Sequence, residues 1–303
     1  MSQRRGVIAL DVGGSKIACG LFLESGEILF QDTVATVQQS ADASISQLVS
    51  LIEEAISQSP RDVVAAGVGI VIPGWVDHKK RTVWAPNIAG WDHVPLHQRM
   101  EEQVALPLIL ESDRSGYVKG EAWFGAARGL SDVVFLAVGT GIGAGIMIGG
   151  QVLHGNDDLA GAVGWLALNP DFRESYRQMG CFEAEASGQV IAQRGREVMG
   201  DGVTTREVFA AVARGDPDAR AIVDEVVIYL GMGVANLVNT LNPEMVVLGG
   251  GVFQSGSELF ERVRRDFVRW TQPFAAQRVR VVVSTLGERA GLYGAARIAL
   301  DNI

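Results

Sequence analysis

One pattern occurs twice in this chain and limits the fold more than any other feature. Val7-Ile-Ala-Leu-Asp-Val-Gly-Gly-Ser-Lys-Ile-Ala-Cys-Gly-Leu-Phe-Leu23 and Val134-Phe-Leu-Ala-Val-Gly-Thr-Gly-Ile-Gly-Ala-Gly-Ile-Met-Ile148 each read as an apolar strand, a glycine-rich turn and a second apolar strand. At one fixed offset Gly14, Ser15, Ile17 and Gly20 fall on Gly139, Thr140, Ile142 and Gly145. Each copy stands near the start of one half of the chain. Duplicated halves of this kind are expected to face one another across a cleft, each presenting a glycine turn.

A length of 303 residues suits two domains, and with 48% hydrophobic and 20% charged residues a large core can form. Val133 to Asn156 carries no formally charged residue, but its β-branched runs broken by glycines mark buried strands rather than a membrane span. The formal charge of −9 argues against a protein that grips nucleic acid or an anionic membrane surface. Cys19 and Cys181 have no C-x-x-C spacing, which removes a disulfide scaffold and a four-cysteine zinc site. No apolar stretch of signal length precedes Val7, so the protein is expected in the cytoplasm.

The rest of the chain reads as α/β. Ala41–Ser57 carries Ile45, Leu48, Leu51, Ile52 and Ala55 at helical spacing. Val63–Ile72 is a strand ending at Pro73-Gly74, and Leu108–Leu110 is another, ending at Glu111-Ser112-Asp113. Helices are expected over 117–127, 181–194, 205–213 and 216–241. Strands are expected at 245–248 and 279–284, and a closing helix at 290–300. The domain reading is 1–115 and 116–289, with 290–303 packing back on the first domain.

Three glycine turns follow three apolar strands: Gly13-Gly14-Ser15, Gly139-Thr140-Gly141 and Gly249-Gly250-Gly251. Glycine lets a backbone approach a phosphate and aim N–H groups at it, and Ser or Thr adds a hydroxyl donor. The three together favour a nucleotide, while the Walker pattern and a strand-to-helix G-x-G-x-x-G are both missing. Asp11, directly before the first turn, is placed either as a turn residue or to hold Mg2+ beside a polyphosphate. Asp113 follows a strand and precedes a helix, which suits an N-cap and equally a base for a hydroxyl attacking a γ-phosphate. His78, His93, His97 and His154 have no metal-ligand spacing.

Asp11-Val-Gly-Gly-Ser-Lys16, Pro73-Gly74, Asn87 to Trp91, Asp113, Gly120-Glu121-Ala-Trp-Phe-Gly-Ala-Ala-Arg-Gly129, Val138-Gly-Thr-Gly-Ile-Gly143, Gly180-Cys-Phe-Glu-Ala-Glu-Ala-Ser-Gly188 and Ala235-Asn-Leu-Val-Asn-Thr-Leu-Asn-Pro-Glu244 together resemble the ROK family (repressor, open reading frame, kinase). The resemblance runs in order through nearly the whole chain. It implies the two-domain actin-like, ribonuclease H-like ATPase fold with an interdomain cleft. It also implies an ATP-dependent kinase that phosphorylates a 6-position type primary hydroxyl of a hexose, an amino sugar or a related cyclic polyol. On that basis Asp113 is the catalytic base, and Gly13, Gly14, Ser15, Lys16, Gly139, Thr140, Gly141, Gly249, Gly250 and Gly251 bind ATP. Asp11 meets Mg2+, through water. Gly74, Asn87, Ser112, Asp113, Trp165 and Glu183 meet the acceptor. A homodimer is implied as well.

The chain also departs from the family pattern. Ser112 stands where Asn usually precedes the catalytic Asp, and Arg114 follows it. The sugar-binding G-E-x-G-H stretch is Gly161-Ala162-Val163-Gly164-Trp165, without its Glu and His. Of the cysteine-rich zinc loop only Gly180-Cys181 remains, so no structural zinc is expected there. Plain glucose is therefore expected to be a weak substrate. Two other readings compete: a non-catalytic ATP- or sugar-binding sensor, and a sugar-responsive repressor. The repressor reading requires a helix-turn-helix ahead of the first phosphate turn, where Asp11 leaves no room.

Overall fold

The computed structural model describes residues 3–256 and 258–303. They fall into two compact units. The first comprises the chain through Gly129, His154–Leu159 and Glu288–Ile303, and the second Leu130–Leu153 and Ala160–Gly287.

The first unit is built on a five-stranded sheet. β1 (Arg4–Val12), β2 (Lys16–Leu23) and β3 (Ile28–Ala35) form an antiparallel meander. β4 (Val63–Ile72) then pairs parallel with β1. A short hairpin, β5 (Trp75–Asp77) and β6 (Thr82–Trp84), follows. The chain returns as β7 (Leu108–Ser112), parallel to β4, so the order is β3-β2-β1-β4-β7. Central parallel strands are covered on both faces, and β4 is accordingly apolar along almost its whole length. The Ala41–Ser57 helix starts on a Ser40 cap and buries Ile45, Leu48, Leu51, Ile52 and Ala55, one apolar stripe at 3.6-residue spacing.

The second unit repeats that plan. β8 (Val133–Val138), β9 (Ile142–Ile148) and β10 (Gln151–Val152) form a meander. β11 (Met245–Gly249) lies parallel to β8, and β12 (Arg280–Val283) parallel to β11. The order β10-β9-β8-β11-β12 matches the first sheet strand for strand. The duplicated sequence pattern is therefore a duplicated topology. The Pro217–Leu241 helix is long and apolar enough to cross a membrane by composition alone. Here its Val226, Leu230, Val234 and Leu237 are buried in the second core together with Phe182 and Leu248. Each such side chain contributes about 1.5–3 kcal/mol on burial.

Four boundaries differ from the sequence reading. The first unit extends to Gly129 rather than 115, because the helix after β7 packs on the closing Ala290–Asn302 helix. Phe124 stacks on Tyr293 with ring centroids 5.1 Å apart, and Lys119 pairs with Asp301 at 3.0 Å. That helix spans Asp113–Phe124, starting four residues before the expected Tyr117, because Ser112 caps it by accepting the Arg114 N–H at 3.3 Å. The expected helix over 181–194 is two, Cys181–Ala186 and Gly188–Met199, since Ser187 turns extended and its hydroxyl accepts the Val190 N–H. After β11 the triple glycine leads into a short helix, Gly251–Ser255.

Candidate active site

In the first unit, parallel register decides which residues meet. Asp11 of β1 stands beside Val71 of β4, and Val71 beside Glu111 of β7. The carboxyl ends of these strands deliver Asp11, Pro73-Gly74 and Ser112-Asp113 to one edge of the sheet, the edge where open α/β sheets bind ligands. The Gly13-Gly14-Ser15 turn is held from behind. The Gly13 N–H donates to the Lys16 carbonyl at 2.9 Å, Thr36 Oγ1 donates to the Gly13 carbonyl at 2.6 Å, and Gln38 Nε2 donates to the Gly14 carbonyl. Ser15 and Lys16 are exposed, with Lys16 Nζ 2.5 Å from a Glu288 carboxylate oxygen. The Asn87 backbone lies against Gly14 and also accepts from Gln38 Nε2 at 3.3 Å, which places Asn87 beside the turn.

The two aspartates perturb each other. Burial, then the charge of Asp113, push the Asp11 carboxyl up to about 7, against a smaller pull from Lys16. Gly291 makes the room Asp11 needs: a Cβ there would fall 2.2 Å from Asp11 Oδ2. Burial also raises Asp113, while the Arg114 charge and hydrogen bonds from Tyr117 and Ser112 oppose the rise. Tyr117 Oη donates to Asp113 Oδ2 at 3.1 Å. The Arg114 guanidinium is fixed by Nε donating to Ser112 Oγ at 3.2 Å and Nη2 to the Gly74 carbonyl at 3.4 Å. The cap is thus made by Ser112, which leaves the Asp113 carboxylate for other work.

In the second unit β8 and β11 are paired to their ends, Ala137 against Gly249, so the turns that follow them lie side by side. Gly250 has φ +92°, and a Cβ there would meet the Val138 carbonyl oxygen at 2.3 Å, a position only glycine fills without strain. The Gly139-Thr140-Gly141 turn closes with the Gly139 N–H on the Gly141 carbonyl at 2.9 Å. A Cβ on Gly139 or Gly251 would meet open space, so their backbones are accessible. Glu183 reaches the same turn: Oε2 accepts the Ile142 N–H at 2.7 Å, and burial raises its carboxyl. Gly164 packs against Glu183, and the neighbouring Trp165 leaves its side chain exposed.

The family model described as ROK family matches residues 7–302. The chain belongs to the ROK family. It is 33% identical to a glucokinase of Thermotoga maritima, over 98% of each chain. The ROK hexokinase from Thermus thermophilus superposes with a TM-score of 0.88 at 32% identity, over 97% of this chain and 98% of that one. A ROK family glucokinase from Streptomyces griseus, solved with glucose and AMPPNP, gives 0.78 at 31% identity over 98% and 100%. Fold and family thus agree with the motif reading.

Against the ROK zinc pattern, Cys181 is buried and its Sγ accepts the Leu168 N–H at 3.3 Å. The loop around it is closed by polar side chains that the sequence reading passed over. Buried Glu185 takes Tyr176 Oη, Arg173 at 2.9 Å and Arg194 at 2.6 Å, and Asn169 Nδ2 bonds both Tyr176 and Tyr229. Tyr117 was also missed, although four residues after Asp113 on a helix is the spacing that brings two side chains together. His78 and His154 are brought together around Glu111, while His93 and His97 are not part of that group.

Proposed function

We infer that this ROK protein is an ATP-dependent carbohydrate kinase, transferring the γ-phosphoryl group to a primary hydroxyl of a hexose, an amino sugar or a related cyclic polyol. The observation that carries the reading is the placement of Asp113: at the end of β7, with Ser112 making the helix cap in its stead, its carboxylate can accept the acceptor's proton. Burial raises its basicity, and the Tyr117 hydroxyl orients it. The glucokinase relatives and the solved ROK kinases support the same chemistry.

ATP is assigned to the backbone N–H groups of Gly13, Gly14, Gly139, Gly141, Gly249, Gly250 and Gly251, with the hydroxyls of Ser15 and Thr140 and the Lys16 ammonium. Asp11 suits Mg2+: it stands beside Asp113, and the two carboxyls, which Lys16 and Arg114 offset only in part, form an acidic site that a divalent cation relieves. Bound there, Mg2+ supplies charge neutralisation on the transferred phosphate. Gly74, Asn87, Ser112, Trp165 and Glu183 are assigned to the acceptor. Ala162 and Trp165 stand where a carboxylate and an imidazole would read sugar hydroxyls, so the acceptor is poorer in hydroxyls, or modified, where it meets the indole. A cytoplasmic homodimer completes the reading, supported by the cysteine usage and by the family resemblance.

The test is acceptor-dependent ADP release across hexoses, amino sugars and cyclitols. Turnover with at least one of them is expected. ATP binding without release over the whole panel would return the chain to a non-catalytic sensor.

A further inference from the structure

A cluster of different composition lies within the first unit. His78 directly follows β5, Glu111 is the penultimate residue of β7, and His154 opens the His154–Leu159 stretch. Both imidazoles turn Nε2 toward the same atom, Glu111 Oε1, at 2.8 Å from His154 and 3.6 Å from His78. The three candidate ligand atoms lie within 4.8 Å of one another. The rings stand edge to face, centroids 5.5 Å apart at 89°.

The separations can be compared with a metal's requirements. Ligands 2.0–2.1 Å from a tetrahedral ion stand about 3.3 Å from each other. The His78 separation is close to that value, and the His154 pair needs to open by only about half an ångström. The segments are held together independently of any ion. Trp75 Nε1 donates to the Asp157 carbonyl at 2.8 Å, the His78 N–H to Asp158 Oδ2 at 3.1 Å, and Lys79 Nζ to the Asn156 carbonyl at 2.5 Å. Such preorganisation lowers the ordering cost of binding. The imidazoles are 40% and 38% exposed while the carboxylate is 13% exposed, so solvent reaches a site whose anionic ligand is sheltered.

We propose that His78, Glu111 and His154 bind one zinc-class divalent ion through two imidazole Nε2 atoms and one carboxylate oxygen, with the fourth position open to water. Two nitrogens with one carboxylate select Zn2+ or Co2+ over the all-oxygen preferences of Mg2+ and Ca2+. The site is separate from the Cys181 loop and from Asp11. An ion there ties the 154–159 stretch to the β5 and β7 ends, two residues before Asp113. It stands whether or not the kinase assignment holds.

The experiment uses full-length protein, stripped with a chelator, desalted and titrated with Co2+ and then Zn2+. One equivalent of cobalt is expected to give the visible absorption of a four-coordinate ion without thiolate charge-transfer intensity. Zn2+ should displace it, and elemental analysis should find one zinc per chain. Glu111→Gln, His78→Asn and His154→Asn should each weaken binding about tenfold or more, with folding checked by circular dichroism. Cys181→Ser should leave the cobalt spectrum unchanged. Wild-type protein that binds neither ion would reduce the cluster to a hydrogen-bonded clamp and overturn the proposal. So would folded ligand variants that bind like wild type, or a cobalt spectrum that Cys181→Ser abolishes. Should the Glu111 variant fail to fold, the histidine variants and the missing thiolate intensity still decide.

Discussion

Replacing Asp11 with Asn should make the ligand-free protein more stable while disabling it. In the folded chain the Asp11 carboxyl is raised from its ordinary 3.8 to about 7. The gap of about three pH units corresponds to about 4 kcal/mol at 1.36 kcal/mol per unit. Water that reaches the half-buried side chain screens part of this, so about 2–4 kcal/mol is expected. The sign follows from the raised folded value. Below pH 3.8 the group is protonated folded and unfolded and costs nothing, and stability is then lost as pH rises through about 7. The asparagine side chain of the variant does not titrate. Denaturation of Mg2+-free, nucleotide-free protein at pH 5 to 8 should show Asp11→Asn ahead of wild type, with the lead at pH 5 less than half that at pH 8. Hydrogen exchange of the β1 and β4 amides assigns the effect to the first unit. Mg2+ with nucleotide should stabilise wild type more than it stabilises the variant. Parallel pH profiles, or a variant less stable throughout, would refute the argument that ionised Asp11 is a destabilising charge awaiting a cation.

Asp113→Asn should lower kcat by about 100- to 10,000-fold with ATP binding retained, measured by ADP release beside nucleotide titration. Tyr117→Phe removes a hydrogen bond that holds the Asp113 carboxyl down, so the acid limb of kcat/KM should move to higher pH; an unmoved limb would leave Tyr117 a packing residue. Ala162→Glu with Trp165→His should shift preference toward glucose, on which the parent is expected to be weak because unpaired hydroxyls cost about 1–3 kcal/mol each. A kcat/KM on glucose at or above about 10⁴ M⁻¹s⁻¹ in the parent would sink that idea. Phe182→Ala, at a fully buried position packed on Gly233, should cost the second unit about 3–5 kcal/mol in denaturation.

Much of the fold was legible because its signals are local. The two hairpins carry their apolar runs and glycines in one short window, and β4 and the Ala41–Ser57 helix carry clean periods. Boundaries were less legible where capping decides them. Ser112 and Ser187 look like ordinary polar residues until their hydroxyls are seen accepting backbone N–H groups at helix starts. The three-residue strands β5 and β6 are too short for alternation to show. At the site, glycine turns and strand-end aspartates announce themselves, whereas long-range chemistry does not. The His78, Glu111 and His154 grouping and the Glu185 network join segments far apart in sequence, and no spacing rule encodes them.

The Ala290–Asn302 helix lies against β1 and β4, strands made long before it. Until residues 290–302 have been synthesised, one face of the first sheet lacks the cover that this helix gives it. The second unit, whose elements end at Gly287, has all its parts earlier. The unit begun before the other is thus completed after it, and it depends on residues 288–303 in a way its earlier residues alone do not reveal. A change that disturbs the Ala290–Asn302 helix would be felt in the Asp11 strand, far from it in sequence.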